Sequence, residues 1–264
     1  MVRLKIMSLN LRWSGAKDGI NCFENRKPKI RELLLREAPD VIGFQEITPE
    51  MRHWLVETMD AYYAVGGGRG KGYSGEAPLV MFRKDCFQLI SADTVMLSAT
   101  PDVPGSMYGL EDHSPCPRAY VKALLKHDEL AEPFYFYNVH TDHFGQNGRI
   151  LASMQMMQDI NSHTKKFFLT GDLNAAPDAT EIRLLSSSCN REIRDATAGL
   201  GGTLHGFGKE KLRDENGELL PGTKIDYVFV GGAVEVIDAQ VIVEKPDDGI
   251  YSSDHFAVYA VVEL

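Results

Sequence analysis

Short apolar runs alternate along the chain with polar segments, and most are too brief to be helices. Residues 3–9, 41–44, 78–83, 87–97, 119–125, 134–139, 166–172, 203–207, 224–230, 234–243 and 255–262 read as strands, rich in Val, Ile, Phe and Tyr and bounded by Gly, Pro, Asn or Asp. The run at 41–44 suits a strand buried on both faces. Helical spacing appears at 28–37, with Ile30, Leu33 and Leu34 on one face, and Ala38-Pro39-Asp40 stops it. A second helix is capped by Thr48, opens on Pro49 and runs through Trp54 and Leu55. A third covers 147–161 with Ile150, Met154 and Met157 as its buried face, its methionines acting as core filling. A fourth starts near Pro177. Residues 66–75 form a flexible glycine-rich loop, 98–117 an irregular surface loop with four prolines, and 208–222 a charged loop. With strands outnumbering helices, the expected architecture is α/β (α+β): mixed sheets packed face to face, helices outside, in a single domain over residues 1–264.

Composition bounds the function. The 264 residues are 44% hydrophobic and 25% charged, enough for one large core. A net charge of −9 argues against an extended, nonspecific grip on nucleic acid. It leaves room for a local basic groove, and it suits a site for a hard divalent cation. Cys22, Cys86, Cys116 and Cys189 are scattered with no CxxC pair, so they read as free or buried thiols rather than a zinc site. No apolar run approaches the ~20 residues of a membrane helix, and residues 1–10 read as a first strand rather than a signal peptide. A soluble, cytoplasmic monomer without membrane association is expected.

The chemistry sits at the ends of strands. Gly171-Asp172-Leu173-Asn174 follows one apolar run, Asn138-Val139-His140 closes another, and Ser253-Asp254-His255 precedes a third. Buried strands hold side chains rigidly at their tips, as catalytic groups require. In Gly-Asp-x-Asn the carboxylate can orient or deprotonate a water, while the amide can bond a nucleophile or phosphoryl oxygen; an Asx turn is the structural alternative. Glu46, at the exit of an apolar strand, is either a solvated carboxylate or a ligand for Mg²⁺, and Asn10 could position that carboxylate. Asp226 lies inside an apolar strand, where an unpaired carboxylate would be costly. A histidine is its natural partner, with His255 preferred over His140; a protonated histidine can neutralise charge developing on a phosphoryl oxygen. Arg69, in the glycine-rich loop, and Arg118, before a strand, could meet an anionic substrate or be ordinary surface cations. The glycine-rich loop resembles neither a Walker motif nor a dinucleotide fingerprint, since GxxxxGK(S/T) and a GxGxxG in the right context are both absent.

Asn10, Gln45-Glu46, His140, Gly171–Asn174, Ile225-Asp226-Tyr227 and Ser253-Asp254-His255 occur in an order that resembles the endonuclease/exonuclease/phosphatase superfamily over nearly the whole chain. The resemblance implies a four-layer α/β/β/α sandwich of two mixed β-sheets flanked by helices, and Mg²⁺- or Mn²⁺-dependent phosphoester hydrolysis. It implies Glu46 as principal metal ligand with Asn10 and Asp254 nearby, and Asp172 aligning the nucleophilic water. Asn174 would contact nucleophile or phosphate, His140 a phosphate oxygen, and the Asp226–His255 pair the phosphoryl transition state. Arg12 stands where abasic-site nucleases often carry Asp, and His140 in Asn138–His143 looks more like the deadenylase, sphingomyelinase and tyrosyl-DNA phosphodiesterase branches. The longer signature and Cys-Asp-Arg element of inositol polyphosphate 5-phosphatases are missing. Residues 203–207 resemble a segment of bacterial members, which makes His205 a candidate substrate contact. The expected function is hydrolysis of a phosphorylated small molecule or nucleic-acid end. Two alternatives are a catalytically inactive module that binds a phospho-ligand or protein, and a sphingomyelinase-like phospholipid phosphodiesterase, which lacks an evident amphipathic membrane helix.

Overall fold

The computed structural model describes residues 1–187, 192–217, 220 and 222–264. Its strands are β1 (Arg3–Asn10), β2 (Val41–Ile47), β3 (Tyr62–Val65), β4 (Ala77–Arg83), β5 (Phe87–Met96), β6 (Ala119–His127), β7 (Phe134–His140), β8 (Phe167–Asp172), β9 (Ile193–Asp195), β10 (Asp226–Gly231), β11 (Glu235–Val241) and β12 (Val258–Glu263). Its α-helices are α1 (Phe23–Glu37), α2 (Pro49–Thr58), α3 (Gln146–Asn161) and α4 (Thr180–Ser187). They build two six-stranded sheets, ordered β11-β12-β1-β2-β4-β3 and β5-β6-β7-β8-β10-β9. Each is mixed: β1–β2 and β7–β8 pair in parallel, and the remaining neighbours pair antiparallel.

Strand parity makes the layers. Leu4 and Ile6 of β1 join Phe134 and Phe136 of β7, Phe168 of β8 and Val228 and Val230 of β10 between the sheets. The alternate residues of β1, Met7 and Leu9, pack outward under Ile30, Leu33 and Leu34 of α1 and Met51 and Leu55 of α2. Tyr137, Leu169 and Phe229 face Ala152, Met156 and Ile160 of α3 and Ile182 and Leu185 of α4. A period of two along each strand thus yields the expected α/β/β/α order, since successive side chains point to opposite faces.

Several local expectations shift. Helix α1 begins at Phe23, well before Pro28. Its first turn is fixed by Arg26, which is fully buried and donates to the carbonyls of Leu11, Arg12, Asn21 and Ser252. Helix α3 buries Gly148, Ala152, Ser153, Met156, Met157 and Ile160, while Met154 is 52% exposed. Met157 is buried as expected, and the inward face is completed by Met156 and Ile160 together with the small residues Gly148, Ala152 and Ser153. Helix α4 starts at Thr180. Residues 203–207 are not a strand: only Leu204 bridges, to His255, because Gly206 and Phe207 turn with φ of 57° and 59°. Strand β12 starts at Val258, leaving His255 in the preceding turn. Strands β3 and β9 are too short to carry a pattern. The loop at 66–75 folds on itself, with Arg69 N–H donating to Glu76 O and Gly70 N–H to Ser74 O. Cys22, Cys86 and Cys116 are free thiols, and Cys189 lies outside the described residues. Among the described residues, no helix is long and apolar enough to cross a membrane.

Beneath one end of the sandwich the inter-sheet core turns polar. Asn138 of β7 donates from Nδ2 to the carbonyls of Phe44 (2.7 Å) and Leu79 (3.1 Å) in the opposite sheet. Its Oδ1 accepts from Gln45 Nε2 at 2.7 Å and Thr170 Oγ1 at 3.2 Å. Gly43 makes room: a Cβ there would lie 2.1 Å from Thr170 Oγ1 and 2.5 Å from Asn138 Oδ1. Truncating Asn138 would strand several buried polar groups, each costing about 1–3 kcal/mol. Asn138→Ala is therefore expected to cost about 3 kcal/mol, lowering Tm by about 5–10 °C, whereas Thr170→Val, which loses a single hydroxyl proton shared between Asn138 Oδ1 and Tyr137 O, costs much less. Calorimetric melting of both variants checks this, and an unchanged Tm for Asn138→Ala would contradict the inter-sheet role.

Candidate active site

The polar end of the core follows from the same parity. On β1 the inward row runs Leu4, Ile6, Ser8, Asn10; on β7, Phe134, Phe136, Asn138, His140; on β8, Phe168, Thr170, Asp172. In register, Asp172 has His140 beside it on β7 and Asp226 beside it on β10, while Asn10 pairs with Gln45 across β1 and β2. Two polar rows from different sheets therefore meet over the Asn138 amide. Gly171 permits the close β7–β8 approach, since a Cβ there would lie 2.3 Å from Val139 O.

Asp172 is the hub. Its Oδ2 accepts from Asn10 Nδ2 at 3.0 Å and its Oδ1 from the Asn174 N–H at 2.9 Å. Oδ2 lies 3.6 Å from His140 Nε2 and 4.0 Å from His255 Nε2. His255 Nδ1 bonds Asp226 Oδ2 at 2.9 Å. The Asn10 amide also reaches Glu46 Oε1 at 3.2 Å, so one NH₂ group bridges two carboxylates. Asn10 Oδ1 accepts from Arg12 N–H (2.9 Å), and Glu46 Oε2 from Trp13 N–H (2.9 Å). Ser253 Oγ donates to Asn10 O at 2.5 Å, tying the turn that carries Asp254 and His255 to the end of β1. Arg12, Glu46 and Asn174 all take positive φ, at 52°, 63° and 48°. Such strain concentrates where a side chain must be aimed.

Burial sets the protonation states. Burial first, and the Asp226 charge second, push the Asp172 carboxyl up to about 7, against His255 and the Asn10 and Asn174 donors. Burial also disfavours a charged His255, but the charge and hydrogen bond of Asp226, aided by Asp254 and Asp172, hold it well above the usual histidine range. His140 goes the other way: burial, then Arg118 and Arg69, keep it well below that range.

Glu46, Arg69, Arg118, His140, Asp172, Asn174, Asp254 and His255 line one cavity of about 410 Å³. Asn10 and Asp226 stand behind its wall, buried and bonded to residues that line it. His205 is outside it: its ring stacks on Phe256 at 3.8 Å and its Nδ1 accepts from Gly208 N–H, so it supports the His255 segment from behind. Arg69 pairs with Glu76 at 2.9 Å, and Arg118 bonds His143 Nδ1 at 2.6 Å. Sequence reasoning passed over Trp13, Glu76, Cys116 and His143, which also line the cavity. Only His143, in His-Thr-Asp-His, carried a signal. A larger cleft of about 890 Å³ beside β3 and β5 has its cations engaged within the fold: Lys122 pairs with Asp159, and Arg52 bonds the carbonyls of Ala64 and Gly66. The chemistry lies in the smaller cavity.

Two donor sets could hold a cation. Asp172, Asp226 and His255 each offer an atom, all within 4.8 Å of one another. There, however, Asp226 and His255 already satisfy each other, and an ion would have to break that bond. Glu46, Asp254 and Asp172 also line the cavity, and carboxylates are the ligands that a hard cation such as Mg²⁺ or Mn²⁺ favours.

A sequence model of the Endonuclease/Exonuclease/phosphatase family matches residues 7–255. Uncharacterized protein L388 of Acanthamoeba polyphaga mimivirus is 25% identical over 259 residues, covering 91% of this chain and 92% of that one. Among solved structures, an endonuclease/exonuclease/phosphatase from Bacteroides vulgatus superposes with a TM-score of 0.90 at 24% identity over 100% of both chains. A mannosyl-6-phosphatase from Bacteroides thetaiotaomicron gives 0.85 at 23% identity, over 99% of this chain and 100% of that one. TDP2 of D. rerio, complexed with single-strand DNA product, gives 0.76 at 16% identity over 99% of both chains. These structural likenesses establish the fold.

Burial, with the His255 charge second, presses His205 down to about 4 from its usual 6.5. The neutral ring is favoured in the folded chain, while the unfolded chain takes up the proton first. Its contribution is therefore complete above pH 6.5 and is lost progressively as pH falls toward 4. Urea midpoints measured from pH 7 to 4 should fall less steeply in His205→Phe than in the unaltered protein. Parallel curves would show that His205 does not titrate as its burial demands.

Proposed function

The chain belongs to the endonuclease/exonuclease/phosphatase family, whose members hydrolyse phosphoester bonds, and from that premise we propose a divalent-metal-dependent phosphoester hydrolase acting on a phosphorylated small molecule or a nucleic-acid end. The observation that carries this reading is the Asp172 carboxylate, fixed by Asn10 and Asn174 and flanked by two histidines of opposite protonation preference. With its pKa near 7, Asp172 can orient a water and accept its proton near neutrality. His255, kept protonated by Asp226, faces charge developing on the phosphoryl oxygens. His140, kept neutral, can hydrogen-bond a phosphate oxygen, and Asn174 Nδ2, now on Thr141 O at 3.2 Å, can turn to nucleophile or phosphate. Arg69 and Arg118 supply positive charge to the anionic substrate.

Glu46 and Asp254, with Asp172 beside them and Asn10 orienting Glu46, would hold Mg²⁺ or Mn²⁺. A cation bound there supplies positive charge to the phosphoryl oxygens. The structural relatives include a mannosyl-6-phosphatase and a TDP2 complexed with single-strand DNA product, which support a phosphorylated small molecule and a nucleic acid as substrate classes. A cytoplasmic monomer remains the expected setting.

Asp172→Asn keeps the side chain's shape and relieves a buried charge, so folding should survive while turnover falls by about 10²–10³ or more. His255→Ala should lose a comparable factor. Phosphoester hydrolysis by purified protein with Mg²⁺, alongside circular dichroism, measures both; full turnover in the two variants would refute the assigned roles. EDTA should silence the unaltered enzyme, and Mg²⁺ or Mn²⁺ should restore it. Unchanged turnover in EDTA would count against the metal.

A further inference from the structure

Cations in the cavity differ in how they are compensated. Arg12 is held by Asp18 at 3.0 and 3.1 Å, with Asp254 at 3.6 Å, and Arg69 is held by Glu76 at 2.9 Å. Arg118 has no such partner. It is 3% exposed, its Nη2 donates to His143 Nδ1 at 2.6 Å, and its Nε and Nη1 have no hydrogen-bond partner. The carboxylate near it, Asp142, lies 3.9 Å from Nε. Asp142 is already committed: Oδ2 accepts from the N–H and hydroxyl of Ser114, and Oδ1 from the N–H groups of Phe144 and Gly145. A buried guanidinium with idle donors is costly unless an anion completes it. Its place is fixed, because Arg118 O accepts from Leu97 N–H and the next residue, Ala119, pairs in register with His140. Arg118 therefore stands beside the reacting centre, with buried Asp142 and Ser114 closing the wall behind it.

We propose that Arg118, steadied by His143, is a charge-reading subsite that selects phosphomonoesters over phosphodiesters. The proposal rests on the hydrolase reading above and deepens it. A monoester dianion carries one more negative charge than a diester and an unsubstituted oxygen where the diester carries a second group. Arg118 supplies positive charge for that additional anionic oxygen, with Nε and Nη1 as donors that no hydrogen bond engages. A cavity of about 410 Å³ also suits a small phosphorylated ligand better than a chain continuing on both sides of the phosphate.

The test uses two substrates with one leaving group, p-nitrophenyl phosphate and methyl p-nitrophenyl phosphate, assayed with Mg²⁺ on the full chain and on Arg118→Gln and Arg118→Lys. The unaltered protein should favour the monoester. Arg118→Gln should lower the monoester kcat/KM by about 10² and the monoester-to-diester ratio by at least about tenfold, with Arg118→Lys recovering part of the ratio. A ratio unchanged in Arg118→Gln, or an unaltered enzyme that prefers the diester, overturns the subsite. Calorimetric titration with inorganic phosphate, without turnover, gives a second readout: Arg118→Gln should bind at least about tenfold more weakly, while circular dichroism confirms its fold. Equal phosphate affinity, or none in the unaltered protein, also overturns the proposal. Arg118-dependent phosphate binding with no hydrolysis of either ester would uphold the subsite and sink the hydrolase reading instead.

Discussion

The carboxamide of Asn138 sets the spacing on which the reaction centre depends. Two twisted sheets packed through apolar side chains alone can slide by a fraction of a side chain at little cost. One amide that donates to Phe44 O and Leu79 O and accepts from Gln45 and Thr170 removes that freedom. Glu46 follows Gln45 directly, and His140 lies two residues beyond Asn138 on the same inward row. The distance between a carboxylate of one sheet and a histidine of the other is therefore held by a hydrogen-bond network just beneath them. Gly43 is part of the same device, since any side chain there would push the sheets apart.

Above that floor the site concentrates like charges, and its stability rests on how they are divided. Asp172 and Asp226 are neighbours in register, and both are buried. Two ionised carboxylates so placed would repel strongly in a low dielectric. The arrangement resolves this by giving Asp226 a hydrogen-bonded cation in His255 and by raising the pKa of Asp172. The raised pKa values of Asp172 and His255 thereby arise from two aspartates on adjacent strands. His140 and His255 are divided too: burial, then Arg118, lowers the first, while Asp226 raises the second against the cost of burial.

The rim depends on a cation that takes no part in the cavity. Arg26 is fully buried in α1 and donates to carbonyls of Leu11 and Arg12 after β1, Asn21 before the helix, and Ser252 before the Asp254 turn. Burial lowers its pKa to about 10, which still leaves it charged at neutrality. Those four bonds hold together the loops that carry Arg12, Trp13 and Asp254.

Much of this was legible in the sequence. Apolar runs with period two, capped by Asp, Asn or His, fix which residues share a face, and so place Asn10, His140, Asp172 and Asp226 on inward rows at strand ends. Local chemistry also fixed Thr48 and Pro49 as a helix start, since capping involves only adjacent residues. What depends on distant segments was not legible. The inward face of α3 carries Met156, Met157 and Ile160 with Gly148, Ala152 and Ser153, and leaves Met154 exposed, because the sheet it packs on sets the helix's rotation. Residues 203–207 look like a strand, but the chain bridges only at Leu204 before turning at Gly206 and Phe207, and His205 stacks on Phe256 behind the cavity wall. The burial of Arg26, the positive φ of Glu46 and the idle Nε and Nη1 donors of Arg118 are likewise tertiary. Sequence specifies the alternation of a strand because that is covalent geometry. Which charge goes uncompensated is decided only when separate strands meet, because electrostatic energy depends on distances the chain does not encode locally.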